Sequence, residues 1–247
     1  MKKTISSIIV VIVITSMLTS CKNKTTNKNE TASDTSKTIR EKVLTAEEQK
    51  ALTPDMVIQR LKDGNKRFLD NNLTTRDHSS QIRDAVQGQF PKAVILSCMD
   101  SRVPVEDIFD AVIGDLFVCR VAGNVLNEDM LASLEYGCKV SGAKIIVVMG
   151  HGHCGAVESA IKEVQLGNIT QLLAKVKPAI EESKNFTGEK KYTNEDYVNE
   201  VVINNAKIVV KEIMKKSPIL KEMVDKGELK VVSAAYDLKN GEVTFFE

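Results

Sequence analysis

No tryptophan occurs in the 247 residues, and aromatic side chains of all kinds make up only 4% of them. A surface built to stack on bases or sugar rings is therefore poorly provided for. Charge of one sign is missing too: 34 Lys and Arg stand against 33 Asp and Glu, a net charge of +1. Nothing in that balance favours a polyanion, and no nucleic acid partner is expected. The 5 cysteines contain no Cys-x-x-Cys pair, which argues against a dithiol redox centre and against the paired knuckles of a small structural zinc domain. No internal repeat is visible. What the chain does have is apolar material, 43% of its residues, enough to bury a good-sized core.

That apolar material begins early. Lys2 and Lys3 precede an apolar stretch over 5–18, which has the form of a secretory signal and is too short for a confident membrane span. It ends Leu18-Thr19-Ser20-Cys21, which resembles a bacterial lipobox. The expectation is a signal peptide over 1–20, lipidation of Cys21 after cleavage, and export to the cell envelope on a lipid anchor. Lys22 follows, with no Asp-type signal for the inner membrane, so the outer membrane is favoured where the cell has one. Residues 21–43 are almost all polar and cannot bury enough surface to offset their ordering entropy. They read as a flexible tether, leaving 44–247 as the folded domain.

Within that domain, helices and strands alternate. Thr45 and Thr53-Pro54 mark helix starts, and Val57, Leu61 and Phe68 recur at roughly helical spacing. The pattern then predicts a helix over 80–87, a strand over 93–96, a helix over 104–111 and a strand over 115–120. Asn127 should cap a helix ended by Gly142, ahead of a strand over 144–149 and a helix from Cys154. Further helices are expected over 169–183 and 194–216, with a short one from Pro218. A strand over 229–236 turns at Lys239-Asn240-Gly241 into 243–246. The fold class is thus α/β: a central, mostly parallel sheet flanked by helices, with an N-terminal helical arm and an antiparallel hairpin at the C-terminal edge.

Two short segments carry the chemistry. Cys98-Met99-Asp100-Ser101-Arg102 follows Ala93-Val94-Ile95-Leu96, and His151-Gly152-His153-Cys154-Gly155 follows Ile145-Ile146-Val147-Val148-Met149. Both apolar runs read as buried parallel strands, and ligands bind beyond the carboxyl ends of such strands. Two thiols, an imidazole and a carboxylate thus converge at one sheet edge. Cys98, Asp100 and Arg102 alternate onto one face of an extended strand end, where a guanidinium can grip a carboxylate in a fork. His151 and Cys154 share a face if the chain there enters a helix. Two thiolates with an imidazole suit Zn²⁺, and three protein ligands with an open position are catalytic in form.

These segments resemble the signature of β-class carbonic anhydrases. The resemblance extends through Gly64-Asn65-Lys66-Arg67-Phe68, Gly114-Asp115-Leu116-Phe117, Arg120-Val121-Ala122-Gly123-Asn124, Ser133-Leu134-Glu135-Tyr136 and Ala235-Tyr236-Asp237-Leu238. It covers roughly residues 50–247. It implies one zinc ion per chain held by Cys98, His151 and Cys154. Asp100 would either take the fourth position or pair with Arg102 and leave that position to water. Gln89 matches an amide that hydrogen-bonds substrate. Phe117, Ala122 and Gly155 match a small apolar pocket for CO₂, and Tyr136 a residue contributed across a dimer interface. The implied reaction is reversible hydration of carbon dioxide to bicarbonate, with zinc lowering the pKa of its water toward about 7, in a homodimer or larger homo-oligomer.

Other readings of the same residues stay open at this point. A structural zinc site, a Cys–His nucleophile, a zinc hydrolase acting on carbonyl sulfide and a non-catalytic zinc-binding surface protein all use part of the set. A structural site, however, has no need of Asp100, Arg102 or Gln89. His153 reads as solvent-facing or as a neighbour of the ligands, and His78 as a residue without chemistry. Cys119 and Cys138 read as small apolar side chains, and the 201–214 pattern as helix core.

Overall fold

The computed structural model describes residues 42–246. The expected signal peptide, the Cys21 lipidation site and the tether up to residue 41 lie outside the described residues. No helix among the described residues is long and apolar enough to cross a membrane.

Among the described residues five strands form one sheet: β1 (Ala93–Ser97), β2 (Leu116–Arg120), β3 (Ile145–His151), β4 (Lys230–Tyr236) and β5 (Val243–Phe246). They lie in the order β2-β1-β3-β4-β5. The first three pairings are parallel and β4–β5 is antiparallel. β1 has β2 on one side and β3 on the other, so the chain changes direction across the sheet at β1. That is the topological switch point, where an α/β sheet opens a crevice beyond its strand ends.

The helices are α1 (Ala46–Lys50), α2 (Pro54–Leu69), α3 (His78–Ala85), α4 (Val105–Ile108), α5 (Glu128–Glu135), α6 (Gly155–Ile161), α7 (Gly167–Ala174), α8 (Lys177–Glu182), α9 (Glu195–Lys216) and α10 (Pro218–Asp225). Helix starts follow side-chain chemistry. Thr45 and Glu48 form a reciprocal capping box on α1. Thr53, Asn127, Asn194 and Ser217 accept from backbone N–H groups at the starts of α2, α5, α9 and α10.

Helices cover both faces of the sheet, which is why its strands read as unbroken apolar runs. On one face Ile95, Val147, Met149 and Ala234 pack with Val57, Leu61, Ile108 and Phe109. On the other Leu96, Ile146 and Val148 pack with Leu134, Ala206, Val209 and Ile213. A third cluster caps the site end and gathers Cys98, Cys154, Val157, Val176, Val198, Val201 and Val202. Glycine permits the closest approach: a Cβ at Gly64 would lie 2.0 Å from the Phe109 carbonyl oxygen. Its neighbour Asn65 donates to the carbonyls of Ile108 and Gly241 and accepts from the Val243 N–H, tying α2 to α4 and to the C-terminal hairpin. The Gly64-Asn65 motif is therefore a packing device.

Several expectations need correction. The helix expected over 104–111 shrinks to the single turn α4, because Phe109 leaves helical geometry and Asp110 takes a left-handed φ of 46°. The helix expected over 169–183 is two, α7 and α8. Pro178, in the first turn of α8, has no N–H to continue the helical ladder. The helix from Asn127 runs as α5 only to Glu135 and then widens into a π segment, Tyr136–Val140.

Candidate metal centre

Cys98 follows β1, His151 ends β3, and Cys154 caps α6. The switch point thus brings all three to one crevice. Their ligand atoms lie within 4.8 Å of one another, and all three residues are buried. The imidazole orientation is set by a 2.8 Å hydrogen bond between Nδ1 and the Gly152 carbonyl. With the proton on Nδ1, Nε2 keeps its lone pair, and that buried atom has no hydrogen-bond partner among the described residues. A buried, unpaired nitrogen facing two sulfurs fits a zinc ion, which takes such ligands about 3.5–4 Å apart in a tetrahedron.

The sulfurs are prepared for a cation. Cys98 is held well below the ordinary thiol range, first by a hydrogen bond from Cys154, against its burial, and further by backbone N–H groups including that of Gly123. Cys154 is pushed up because it donates that bond and is buried. The Gly123 N–H lies 3.4 Å from the Cys98 Sγ.

Asp100 stands beside the three ligand atoms and not among them. Its Oδ1 accepts from Arg102 Nε at 2.9 Å and its Oδ2 from Arg102 Nη2 at 2.7 Å. Oδ2 lies 3.8 Å from His151 Nε2. Of the two arrangements open to Asp100, the structure shows the paired one. The fork, and desolvation overcome by it, leave the Asp100 carboxyl far below the usual carboxylate range.

Local geometry differs from the spacing argument in both segments. β1 ends at Ser97, and Asp100 to Val103 form a turn in which Asp100 Oδ1 also accepts the Arg102 N–H at 2.9 Å. A turn, and not strand alternation, brings Asp100 to Arg102. Likewise His151 still pairs with Tyr236 in the sheet. His153 reverses the chain with a left-handed φ of 50° before Cys154 starts α6. His151 and Cys154 therefore meet across a loop, not on a helical face.

Arg120 is a residue whose part at the site the spacing did not reveal. It ends β2, and its guanidinium donates to the Cys98 and Asp100 carbonyls, clamping the loop that carries both. A charged residue closing an apolar strand was the signal available. His153 is 45% exposed at its side chain and sits 3.6 Å from Glu195, while its carbonyl accepts from Arg102 Nη2 at 3.1 Å. His78 begins α3 and is exposed. Cys119 and Cys138 are free thiols, and burial pushes Cys138 up to about 12.

The residues expected around the substrate separate into two groups. Ala122 follows β2 and Gly155 follows Cys154, so both adjoin the ligands. A Cβ at Gly155 would meet no atom within 4 Å. Phe117 pairs with Val94 near the start of β1, about 13 Å along the strand from Cys98 at some 3.3 Å per residue. Its ring lies 6.5 Å from that of Tyr136, which is exposed. Gln89 is exposed beyond the same, far end of β1. Within one chain, then, Gln89, Phe117 and Tyr136 do not reach the metal ligands.

Comparison with known proteins agrees with this geometry. A family model described as carbonic anhydrase matches residues 93–243. Carbonic anhydrase 2 of Mycobacterium tuberculosis is 34% identical over 190 residues, covering 73% of this chain and 87% of the relative. The solved β-carbonic anhydrase CcaA is similar with a TM-score of 0.61 and 25% identity, over 77% of this chain and 95% of that one. Two tetrameric β-carbonic anhydrases of Sordaria macrospora share the fold, with a TM-score of 0.60 and 22% identity over 78% of this chain and 94% of theirs. A mostly parallel sheet with a Cys–His–Cys crevice at its switch point is a zinc-enzyme architecture. This chain belongs to the β-class carbonic anhydrase family.

Proposed function

We infer that this protein interconverts carbon dioxide and bicarbonate, using one zinc ion held by Cys98, His151 and Cys154. The observation that carries the reading is the buried ligand set with an ionised carboxylate fork beside it. Zinc, when bound, supplies the Lewis acidity that makes water a nucleophile near neutral pH. The chain's own groups do the rest. Asp100, kept charged by Arg102, accepts a hydrogen bond from the attacking oxygen and directs its lone pair at the carbon of CO₂. The open space at Gly155, with Ala122, receives that small apolar molecule. Addition of water to CO₂ yields bicarbonate and one proton, and the proton passes to buffer.

Assembly completes the pocket in this reading. Phe117 lies on the edge strand β2, with Tyr136 against it and Gln89 ahead of the adjoining β1; β2 has no second neighbour among the described residues and borders a groove of about 360 Å³ lined by Phe117, Cys119, Ala132 and Tyr136. A second copy meeting that edge would offer its own three residues to this crevice. The tetrameric state of the Sordaria relatives supports a homo-oligomer.

A stopped-flow CO₂ hydration assay on the zinc-loaded protein tests the activity. Turnover that rises with zinc content is expected. No hydration anywhere between neutral and alkaline pH would overturn the reading, and turnover of carbonyl sulfide in its place would identify a related hydrolase. We also propose export and lipid anchoring, supported by the basic start, the apolar stretch over 5–18 and Cys21. Cys21→Ala should move the protein from the membrane to the soluble fraction, and unchanged partitioning would sink this part.

A further inference from the structure

Asn205 is 1% exposed, in the middle of α9 among Val201, Val202, Ala206 and Val209, all buried. A primary amide in such surroundings is costly unless its hydrogen bonds are used. One is: Asn205 Nδ2 donates to the Gly123 carbonyl at 2.9 Å, across 82 residues of sequence. The other end of the amide, Oδ1, is buried without a hydrogen-bond partner among the described residues. The polar group is kept for a single contact, and that contact is with Gly123.

Gly123 is the residue whose N–H points at the Cys98 sulfur. It holds φ at 67° and ψ at 18°, in the left-handed region that favours glycine. A Cβ there would lie 3.3 Å from that of Ala156. The turn around it is closed by the Asn124 N–H on the Val121 carbonyl at 2.9 Å. Both bonds hold the peptide unit that follows Gly123: the Val121 carbonyl fixes its N–H, and Asn205 fixes its carbonyl from the helix behind. With both anchored, the direction of the Gly123 N–H is set.

We propose that Asn205 is a positioning residue for the metal centre: through Gly123 it aims a backbone N–H at the Cys98 sulfur. That hydrogen bond draws charge from the thiolate, eases repulsion between two thiolates on one cation, and holds the sulfur lone pairs in place. Neighbours of metal ligands that act this way change metal affinity when removed, by about 10- to 100-fold. The inference rests on Cys98 being a zinc ligand.

The test is Asn205→Leu, which keeps the branched shape and removes the donor, studied as the cobalt-substituted and zinc-loaded full chain. Chelator competition should show zinc bound about 10- to 100-fold more weakly. The sulfur-to-cobalt charge-transfer band should move to longer wavelength as the thiolate regains charge. A purely structural role would lower thermal stability and leave the band where it was. Affinity within roughly twofold of wild type and an unshifted band would overturn the proposal. Should the leucine variant fail to fold, Asn205→Ser, smaller and too short to bridge, answers the same question. The wild type supplies an independent measure: loaded with ¹¹³Cd, its Gly123 amide proton should couple to the metal through sulfur, and absence of that coupling would also overturn it. A wild-type cobalt protein with no sulfur charge-transfer band would instead remove Cys98 from the ligand set, and this proposal with it.

Discussion

The Asp100 carboxylate and the Arg102 guanidinium meet edge to edge, Oδ1 on Nε at 2.9 Å and Oδ2 on Nη2 at 2.7 Å. The same Asp100 oxygen also accepts the Arg102 backbone N–H. Arg102 in turn reaches the His153 carbonyl, so the fork is tied to both ligand-bearing segments. Such a fork neutralises the carboxylate's pull toward a cation and leaves one oxygen facing the crevice.

Removing the guanidinium frees Asp100 to swing onto the metal or away from the attacking oxygen. Arg102→Ala should therefore keep one zinc per chain and lose CO₂ hydration by about a hundredfold or more, the scale of misplaced reacting groups. Arg102→Lys should recover little, because an ammonium cannot form the fork. Metal analysis beside stopped-flow turnover checks both, and an alanine variant with full turnover would refute the orienting role.

Metal removal gives a second expectation. Cys98 and Cys154 belong to the third core cluster, with the buried His151 beside them, so the three ligands converge only in the folded chain and zinc should stabilise it. At a free zinc level 100 times Kd the gain is about 2.7 kcal/mol, or roughly 5–10 °C in Tm for a domain of this size. Dialysis against a chelator should lower Tm by that amount and abolish turnover, and zinc should restore both. Cys98→Ala should show neither metal nor a zinc-dependent Tm.

Much of this was legible in the sequence, for identifiable reasons. β1 and β3 are buried on both faces, so their residues had to be apolar without interruption, and the motif after each strand could be placed at the sheet edge. The short loops were less legible. Asp100 and Arg102 do pair, but a side-chain bond to a backbone N–H two residues on makes the turn, and periodicity does not report such bonds. Asn205 looks like one polar residue tolerated in an apolar helix, since its partner lies 82 positions away. Phe117 and Tyr136 match a substrate pocket, yet the parallel register puts Phe117, with the Tyr136 ring against it, toward the end of the strands away from the ligands. In the proposed reading the crevice they serve is a partner's, and assembly is not written in periodicity.

Acid should weaken the fold through Asp110. This buried carboxylate, at 1% exposure, accepts from Thr74 Oγ1 and Arg67 Nε at 2.6 Å each and from Arg76 Nη2 at 3.1 Å. Burial works against its charge, but those bonds outweigh it and hold the carboxyl below its ordinary value. Its stabilisation is therefore present above the unfolded value near 4 and is lost as pH falls through the lower folded value. Asp100, also lowered, acts in the same sense. Asp110→Asn should cost about 3 kcal/mol at pH 7 and flatten the fall of Tm between about pH 5 and 3 without removing it. An unchanged acid slope would count against the network.

In the proposed reading, Gly155 borders the space that CO₂ enters. A Cβ there meets no atom of the described residues within 4 Å, although the next residue back, Cys154, is buried in the core. Its φ is not in the left-handed region, so an L side chain fits the backbone. Gly155→Val should therefore fold with a Tm within a few degrees of wild type, as expected of changes that create neither strain nor overpacking. The added methyl groups would project into the crevice that CO₂ must enter. We expect kcat/KM to fall by at least about tenfold while zinc content is unchanged. Gly155→Ala should fall between the two. A valine variant as active as wild type would place the substrate elsewhere around the ligands, with Ala122 the next position to enlarge.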